Sequence, residues 1–201
     1  MPNIPSKAAT NNIPQSHKKE PLKVITFKEL WSAYPEAAPC NKPSDGSLWD
    51  EIFGTNPAFD NQCAIRLSVC LQHAGASLKT FKGVTCNYHK DEKHVLRAKE
   101  LAEWLDKRYL ANWPKSINIT SKDWRSKITN KTGVVYFANY WIPEGSKFPT
   151  GGHIDLWNGS RFPHYSFRSF ATNVGRFNID SPDLFYSNLD NATTILFWEI
   201  P

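Results

Sequence analysis

Apolar positions first become regular at "TFKELWSAY", residues 26–34. Leu30, Trp31 and Tyr34 fall on one face of a helical projection, and Thr26 stands before it as an N-cap. Upstream, residues 1–22 hold Pro, Asn, Ser and Lys with no apolar period, which predicts a disordered tail and leaves 23–201 as one domain. Residues 35–60, rich in Pro, Gly, Asn and Asp, predict a long loop. "NQCAIRLSVCLQHAG", 61–75, predicts a helix capped by Asp60 or Asn61 and stopped by Gly75. An irregular stretch over 76–90 leads to "DEKHVLRAKELAEWLDKRYL", 91–110, the clearest helical pattern. There Val95, Leu101, Ala102 and Leu105 share a side, and early acidic residues with late Lys107 and Arg108 match the helix dipole. The period then changes. "GVVYFANYW", "HIDLW", "HYSFRSF" and "TILFWEI" are rich in β-branched and aromatic residues and predict strands separated by turns. N-terminal helices followed by an antiparallel sheet predict an α+β fold.

Composition narrows the function classes only a little. With 201 residues, 40% hydrophobic and 13% aromatic, the chain can bury a substantial core. Most of its Trp residues are expected in that core, although "WNG", "YW" and "FW" could also line a groove. The net charge of +5 suits an anionic polymer such as nucleic acid, a membrane surface or cell wall, without choosing among them. The excess is too small, and no helix basic enough, for a nucleic-acid binder. No apolar run is long enough to span a membrane. The N-terminus lacks the apolar segment of a secretory signal, so work outside the cell implies another export route. Four cysteines, Cys40, Cys63, Cys70 and Cys86, are too sparse for a disulfide scaffold, and a Cys40–Cys86 disulfide is left open. Without Cys-x-x-Cys or His-x-x-x-His spacing no metal site or cofactor is expected, and His89 and His94, in a charged stretch, are expected to be solvated.

Candidate chemistry starts at Cys63. The first turn of a helix presents unpaired N–H groups and a positive dipole end, which favour a thiolate. Cys70, two turns on among Leu67, Val69 and Leu71, reads as a small core residue. Among the histidines, His153 enters a strand directly after Gly151 and Gly152, whose missing side chains would admit a substrate backbone. Asn158-Gly159 is a hairpin signal. A two-residue turn there would set Trp157 opposite Ser160, Asp155 opposite Phe162 and His153 opposite His164, although Pro163 weakens that register. His153 thus has two possible orienting partners, His164 across the ladder and Asp155 along the strand. The chemistry this permits is Cys-His acyl transfer, with the Cys63 N–H as an oxyanion donor. The order of helix Cys, then strand His, then an adjacent partner is papain-like.

On "NQCAIRLS" followed about ninety residues later by "GGHIDLWNG", the chain resembles amidase effector family 4 of type VI secretion, relatives of the NlpC-type cysteine peptidases. "FKELWSAY", "GVVYFANYW" and "ILFWEIP" resemble the family's opening helix, the strand before its His and its last strand, so the likeness spans residues 26–201. The resemblance implies a papain-like fold and an amidase that cuts peptidoglycan stem peptides between γ-D-glutamate and meso-diaminopimelate. It implies delivery by the type VI tube and spike into a rival's periplasm, and a cognate immunity protein. By position Cys63 matches the family nucleophile and His153 its base. Where the family carries an Asp eleven residues after the His, this chain has His164, so His164 is the first choice for the third role and Asp155 the second. A cysteine pair that some relatives carry after the hairpin turn is missing here. Two rival readings remain: another Cys-His protease, isopeptidase or acyltransferase, and a non-enzymatic module that binds cell wall.

Overall fold

A computed structural model describes residues 24–40, 62–141, 147, 150–163 and 189–201. The predicted tail, most of the 35–60 loop and the predicted strand "HYSFRSF" lie outside them. Helices α1 (Phe27–Ala33), α2 (Cys63–His73) and α3 (Ala98–Asp106) come first. Strand β1 (Ile117–Asn118) and helix α4 (Trp124–Ile128) follow, then β2 (Gly133–Trp141) and β3 (Thr150–Trp157). A 3-10 turn (Leu189–Asn191) and β4 (Thr194–Glu199) complete the order. The sheet runs β1-β4-β2-β3 with every pair antiparallel.

Thr26 caps α1 as the sequence suggests. Its hydroxyl accepts the Glu29 N–H at 3.3 Å while the Glu29 carboxylate accepts the Thr26 N–H at 2.9 Å, a reciprocal capping box. The Phe27 N–H donates to the carbonyl of Pro201, tying the first helix to the end of the chain.

The helix predicted over 91–110 is much shorter, because a tertiary ladder claims its first third. Val95 bridges Thr85, Cys86 N–H donates to His94 O at 2.9 Å, and Leu96 N–H donates to Val84 O at 3.0 Å. Those bonds hold residues 94–96 extended, so α3 starts only at Ala98. Its far end turns out at Arg108, whose φ is +58°. Val95, Leu101, Ala102 and Leu105 are nevertheless all buried together in one core cluster, as their shared side predicts.

Consecutive apolar residues in β2 mean that the sheet is covered on both faces. Val134, Tyr136, Ile154, Leu156 and Trp198 pack against α1, α2 and α3. Val135, Phe137, Trp157, Ile195 and Phe197 face the other way, onto Trp124, Ile128, Phe162 and Leu189. Trp124 meets Phe137 and Trp157 edge-on at 4.9 and 5.7 Å between centroids, and its indole N–H donates to Asp190 at 2.8 Å. Trp157 and Trp198 are therefore core residues, not groove linings.

Gly133 opens β2 between two partners, opposite Trp157 on β3 and Glu199 on β4. A Cβ at this position would run into the backbone carbonyl of Trp198. Gly133→Ala is expected to destabilise the fold by about 2–3 kcal/mol, read as a fall in the urea midpoint at unchanged m-value. An unchanged midpoint would mean that the central strand pair is looser than described.

Candidate active site

The start of α2 is held from outside the helix. Its N-cap is Gln62, in place of the expected Asp60 or Asn61, and the Gln62 side chain does not cap. The carboxamide instead clasps the backbone of Cys40, accepting its N–H at 3.2 Å and donating to its carbonyl at 2.8 Å. Arg66, one turn on, donates to the carbonyls of Pro35 and Ala37 at 2.8 and 2.9 Å. The helix ends at Gly75 as predicted: Ala76 N–H reaches Leu71 O and Gly75 N–H reaches Gln72 O, a Schellman pattern.

Cys63 is the first residue of α2 and lies in the electropositive first turn. Its Sγ stands 3.8 Å from the carbonyl oxygen of Gly152, the residue before His153. The fold thus brings the two sequence motifs together. Cys70 is different. It is fully buried, its thiol donates to the Leu30 carbonyl at 3.1 Å, and burial followed by the charge of Asp155 pushes its pKa up. It is the core residue that its position suggests.

His153 and Asp155 project from the same face of β3 and are both buried. His153 Nε2 lies 3.6 Å from Asp155 Oδ2, and Asp155 Oδ1 accepts the Leu156 N–H at 2.9 Å. Phe162 stands edge-on to the imidazole at 5.9 Å between centroids and Phe137 lies at 6.2 Å, which shields the ring from water. His164, the other predicted partner, lies outside the described residues.

The predicted two-residue hairpin at Asn158-Gly159 does not form, and residues 160–163 are not a strand. The turn closes between Asn158 N–H and Arg161 O at 3.1 Å, while Asn158 Oδ1 takes the N–H groups of Ser160 and Arg161. Gly159, with φ +95°, gives its carbonyl to Asn130 N–H. The groups that a returning strand would need are spent locally, and Pro163 has no N–H to add. Phe162 consequently packs on Trp157, at 5.2 Å between centroids, rather than opposite Asp155 in a ladder.

Two features were not legible from motifs. Tyr136 projects from β2 toward the Cys63 side, and its hydroxyl is pushed up to about 12 by burial, then by Glu103 and Cys63. It is a neutral phenol at physiological pH, and it borders a cavity of about 320 Å³ lined also by Lys99, Glu103, Asp106 and Asn139. The second feature is a cluster of Cys40, Cys86, His89 and His94. Both cysteines are free thiols, so the Cys40–Cys86 disulfide is not formed. His94 is buried and His89 half-buried, against the expectation that both are solvated. The signal present in the sequence was Cys86-x-x-His89 with His94 after four intervening residues, a pair within the usual His-x3–5-His zinc spacing, while Cys40 lies 46 residues before Cys86.

Residues 59–198 match the sequence profile described as type VI secretion system (T6SS), amidase effector protein 4, or Tae4. The fold is similar to the crystal structure of the type VI effector Tae4 from Enterobacter cloacae, at 20% identity and TM-score 0.50, covering 90% of this chain and 99% of that one. It is similar to the Tae4 / Tai4 effector–immunity structure from Salmonella typhimurium at 18% identity and TM-score 0.50, covering 89% of this chain and 100% of that one. The Tae4-Tai4 effector–immunity complex from Enterobacter cloacae matches at 19% identity with the same TM-score, 0.50. No curated protein sequence matches the chain. The α+β architecture is that of the papain-like fold.

The two cysteines of α2 sit in environments that predict different reactivity. Iodoacetamide near neutral pH is expected to alkylate Cys63 at least about tenfold faster than Cys70 in the folded protein, as mapped by peptide mass spectrometry. Equal, slow labelling of both would remove the case for a nucleophile.

Proposed function

From the premise that this chain belongs to amidase effector family 4 of the type VI secretion system, a family of peptidoglycan amidases, we propose that it is a cysteine DL-endopeptidase. Its bond is the one between γ-D-glutamate and meso-diaminopimelate in stem peptides. The observation that carries the reading is the approach of the Cys63 thiol, at a helix start, to the strand residue that precedes His153.

In this mechanism His153 takes the Cys63 proton through Nδ1, since Nε2 is the nitrogen turned to Asp155. The thiolate adds to the γ-glutamyl carbonyl, and the oxyanion is stabilised by N–H groups of the first turn of α2. The C–N bond then breaks as His153 returns the proton to the diaminopimelate amine. Water, deprotonated by His153, attacks the thioester and releases the Cys63 thiol. Asp155 holds the imidazole in the tautomer that leaves Nδ1 basic. The 3.6 Å separation supports Asp155 for this role, and apo hydrogen bonds of this kind commonly tighten with substrate. His164 is the alternative. Beside Tyr136, a cavity bearing Lys99, Glu103 and Asp106 presents both signs of charge, which suits a stem peptide that carries carboxylates and an amine.

The biological setting follows the family. The chain is delivered by a type VI apparatus into the periplasm of a competing bacterium, and a cognate immunity protein protects kin. The related Tae4 structures with Tai4 support such a partner. Among the described residues no helix is long and apolar enough to cross a membrane.

Purified Gram-negative sacculi digested with wild type should release fragments cut between D-glutamate and diaminopimelate, and Cys63→Ala should release none. If neither protein cuts, the cell-wall enzyme is excluded and a protein substrate or binding role replaces it. Asp155→Asn is expected to lower turnover by about 10²-fold, more than His164→Ala does. The opposite order would assign the orienting role to His164.

A further inference from the structure

A second group of reactive side chains lies on the other side of α2 from the main core. Ile65 and Val69 of that helix pack with Cys40 and Cys86 in a small apolar cluster of their own. Two imidazoles enter it. His89 Nδ1 lies 3.7 Å from Cys40 Sγ and 3.5 Å from Cys86 Sγ, and the His94 ring stacks on His89 at 4.1 Å. One ligand atom from each of the four residues lies within 4.8 Å of all the others.

We propose that Cys40, Cys86, His89 and His94 bind one zinc ion in a tetrahedral site with two sulfur and two nitrogen ligands, clamping the chain that leads into the nucleophile helix. Tetrahedral zinc, with Zn–S about 2.3 Å and Zn–N about 2.05 Å, has sulfur–nitrogen edges of about 3.6 Å. The two separations from His89 sit on either side of that value.

His94 supplies an independent observation. It is 2% exposed, and its Nδ1 is a buried nitrogen with no hydrogen-bond partner among the described residues. Its other nitrogen, Nε2, lies 3.5 Å from Glu92 Oε2. A carboxylate on one ring nitrogen, with the other aimed at a metal, is the usual outer-sphere support of a zinc histidine.

Charge balance agrees. Binding forms two Zn–S and two Zn–N bonds and releases the two thiol protons, so a dication and two thiolates leave the buried site neutral. Two thiolates with two imidazoles select zinc over the hard, oxygen-seeking cations.

The backbone is built to hold the four ligands in place. Cys86 N–H bonds His94 O at 2.9 Å, which sets those residues opposite each other, and His89 follows Cys86 by one turn of chain. Cys40 arrives from 46 residues upstream of Cys86 and is fixed at both its N–H and its carbonyl by Gln62, the neighbour of Cys63. The ion would join those segments behind α2, so its loss should loosen the helix start without touching the reacting atoms.

The test uses the full chain, purified without metal-affinity resin. Elemental analysis should find about one zinc per chain. After stripping, titration with cobalt(II) should give the intense visible bands of a tetrahedral ion and thiolate-to-cobalt absorption in the near ultraviolet, both erased by zinc. Cys63→Ala should keep these spectra, which separates this site from the amidase reading. Cys40→Ser and Cys86→Ser should lose them. Zinc should also raise the melting temperature of stripped wild type by more than about 5 °C. If a serine variant fails to fold, the wild-type cobalt titration decides alone. Substoichiometric zinc with no thiolate–cobalt bands in wild type, or a Cys40–Cys86 disulfide in peptide maps of the purified chain, overturns the proposal.

Discussion

The meeting of α2 with β3 is the constraint on which the rest depends. β3 is the end strand of the sheet and pairs only with β2 among the described strands. Ile154 and Leu156 share a core cluster with Ala64, Leu67 and Leu71 of α2, so apolar packing sets where the helix lies on the strand. At its start the helix reaches the strand's backbone, with the Cys63 thiol 3.8 Å from the Gly152 carbonyl, while the Cα of Gly152 faces Ala98 and the Tyr136 ring. The contact between Cys63 and Gly152 spans 89 residues of chain. Such a contact forms only after two hydrophobic faces have found each other, so the site is a product of the whole core and not of either motif alone.

The start of α2 has a conflict to resolve. A side-chain cap would satisfy its first N–H groups and stabilise the helix by about 1 kcal/mol. It would also occupy the place where, in the proposed mechanism, an oxyanion develops. Gln62 is tied instead to the Cys40 backbone, and Arg66 grips the carbonyls of Pro35 and Ala37. The helix end is thereby fixed by neighbours rather than by its own cap. Residues 35–40, which read as featureless loop, hold the helix in position.

Local signals were the readable part of this sequence. The Thr26 cap, the Gly75 stop and the β-branched and aromatic runs of β2, β3 and β4 each specify their element within a few residues, and each is where the pattern put it. What failed were features decided at a distance. The charged, periodic stretch before Ala98 is a good helix locally, yet the Thr85–Val95 bridge draws it straight. Asn158-Gly159 is a strong hairpin signal, yet the Asn158 side chain and Asn130 take up the groups that a second strand would use. β1 and α4 are too short to show a period. In the cluster of Cys40, Cys86, His89 and His94 the last three are close in sequence but mix a thiol with imidazoles, so neither Cys-x-x-Cys nor His-x-x-x-His marks them, and Cys40 joins them only through the fold. Cys63 and His153, the proposed nucleophile and base, are each marked in the sequence by their own surroundings, a helix start and a strand entered through two glycines.

The two cysteines of α2 show how environment assigns chemistry to identical groups. They lie seven residues apart on one helix. Cys63 takes the end where backbone N–H groups and the dipole favour negative charge. Cys70 lies two turns further along in the core, where burial first and then the charge of Asp155 disfavour a thiolate. The carboxylate that would steady the imidazole of the proposed base also repels a second thiolate, while burial and the Leu30 carbonyl keep that thiol protonated. One buried negative charge thus serves two ends. Beside His153 it would favour the imidazolium formed when Cys63 gives up its proton, and beside Cys70 it suppresses a competing nucleophile.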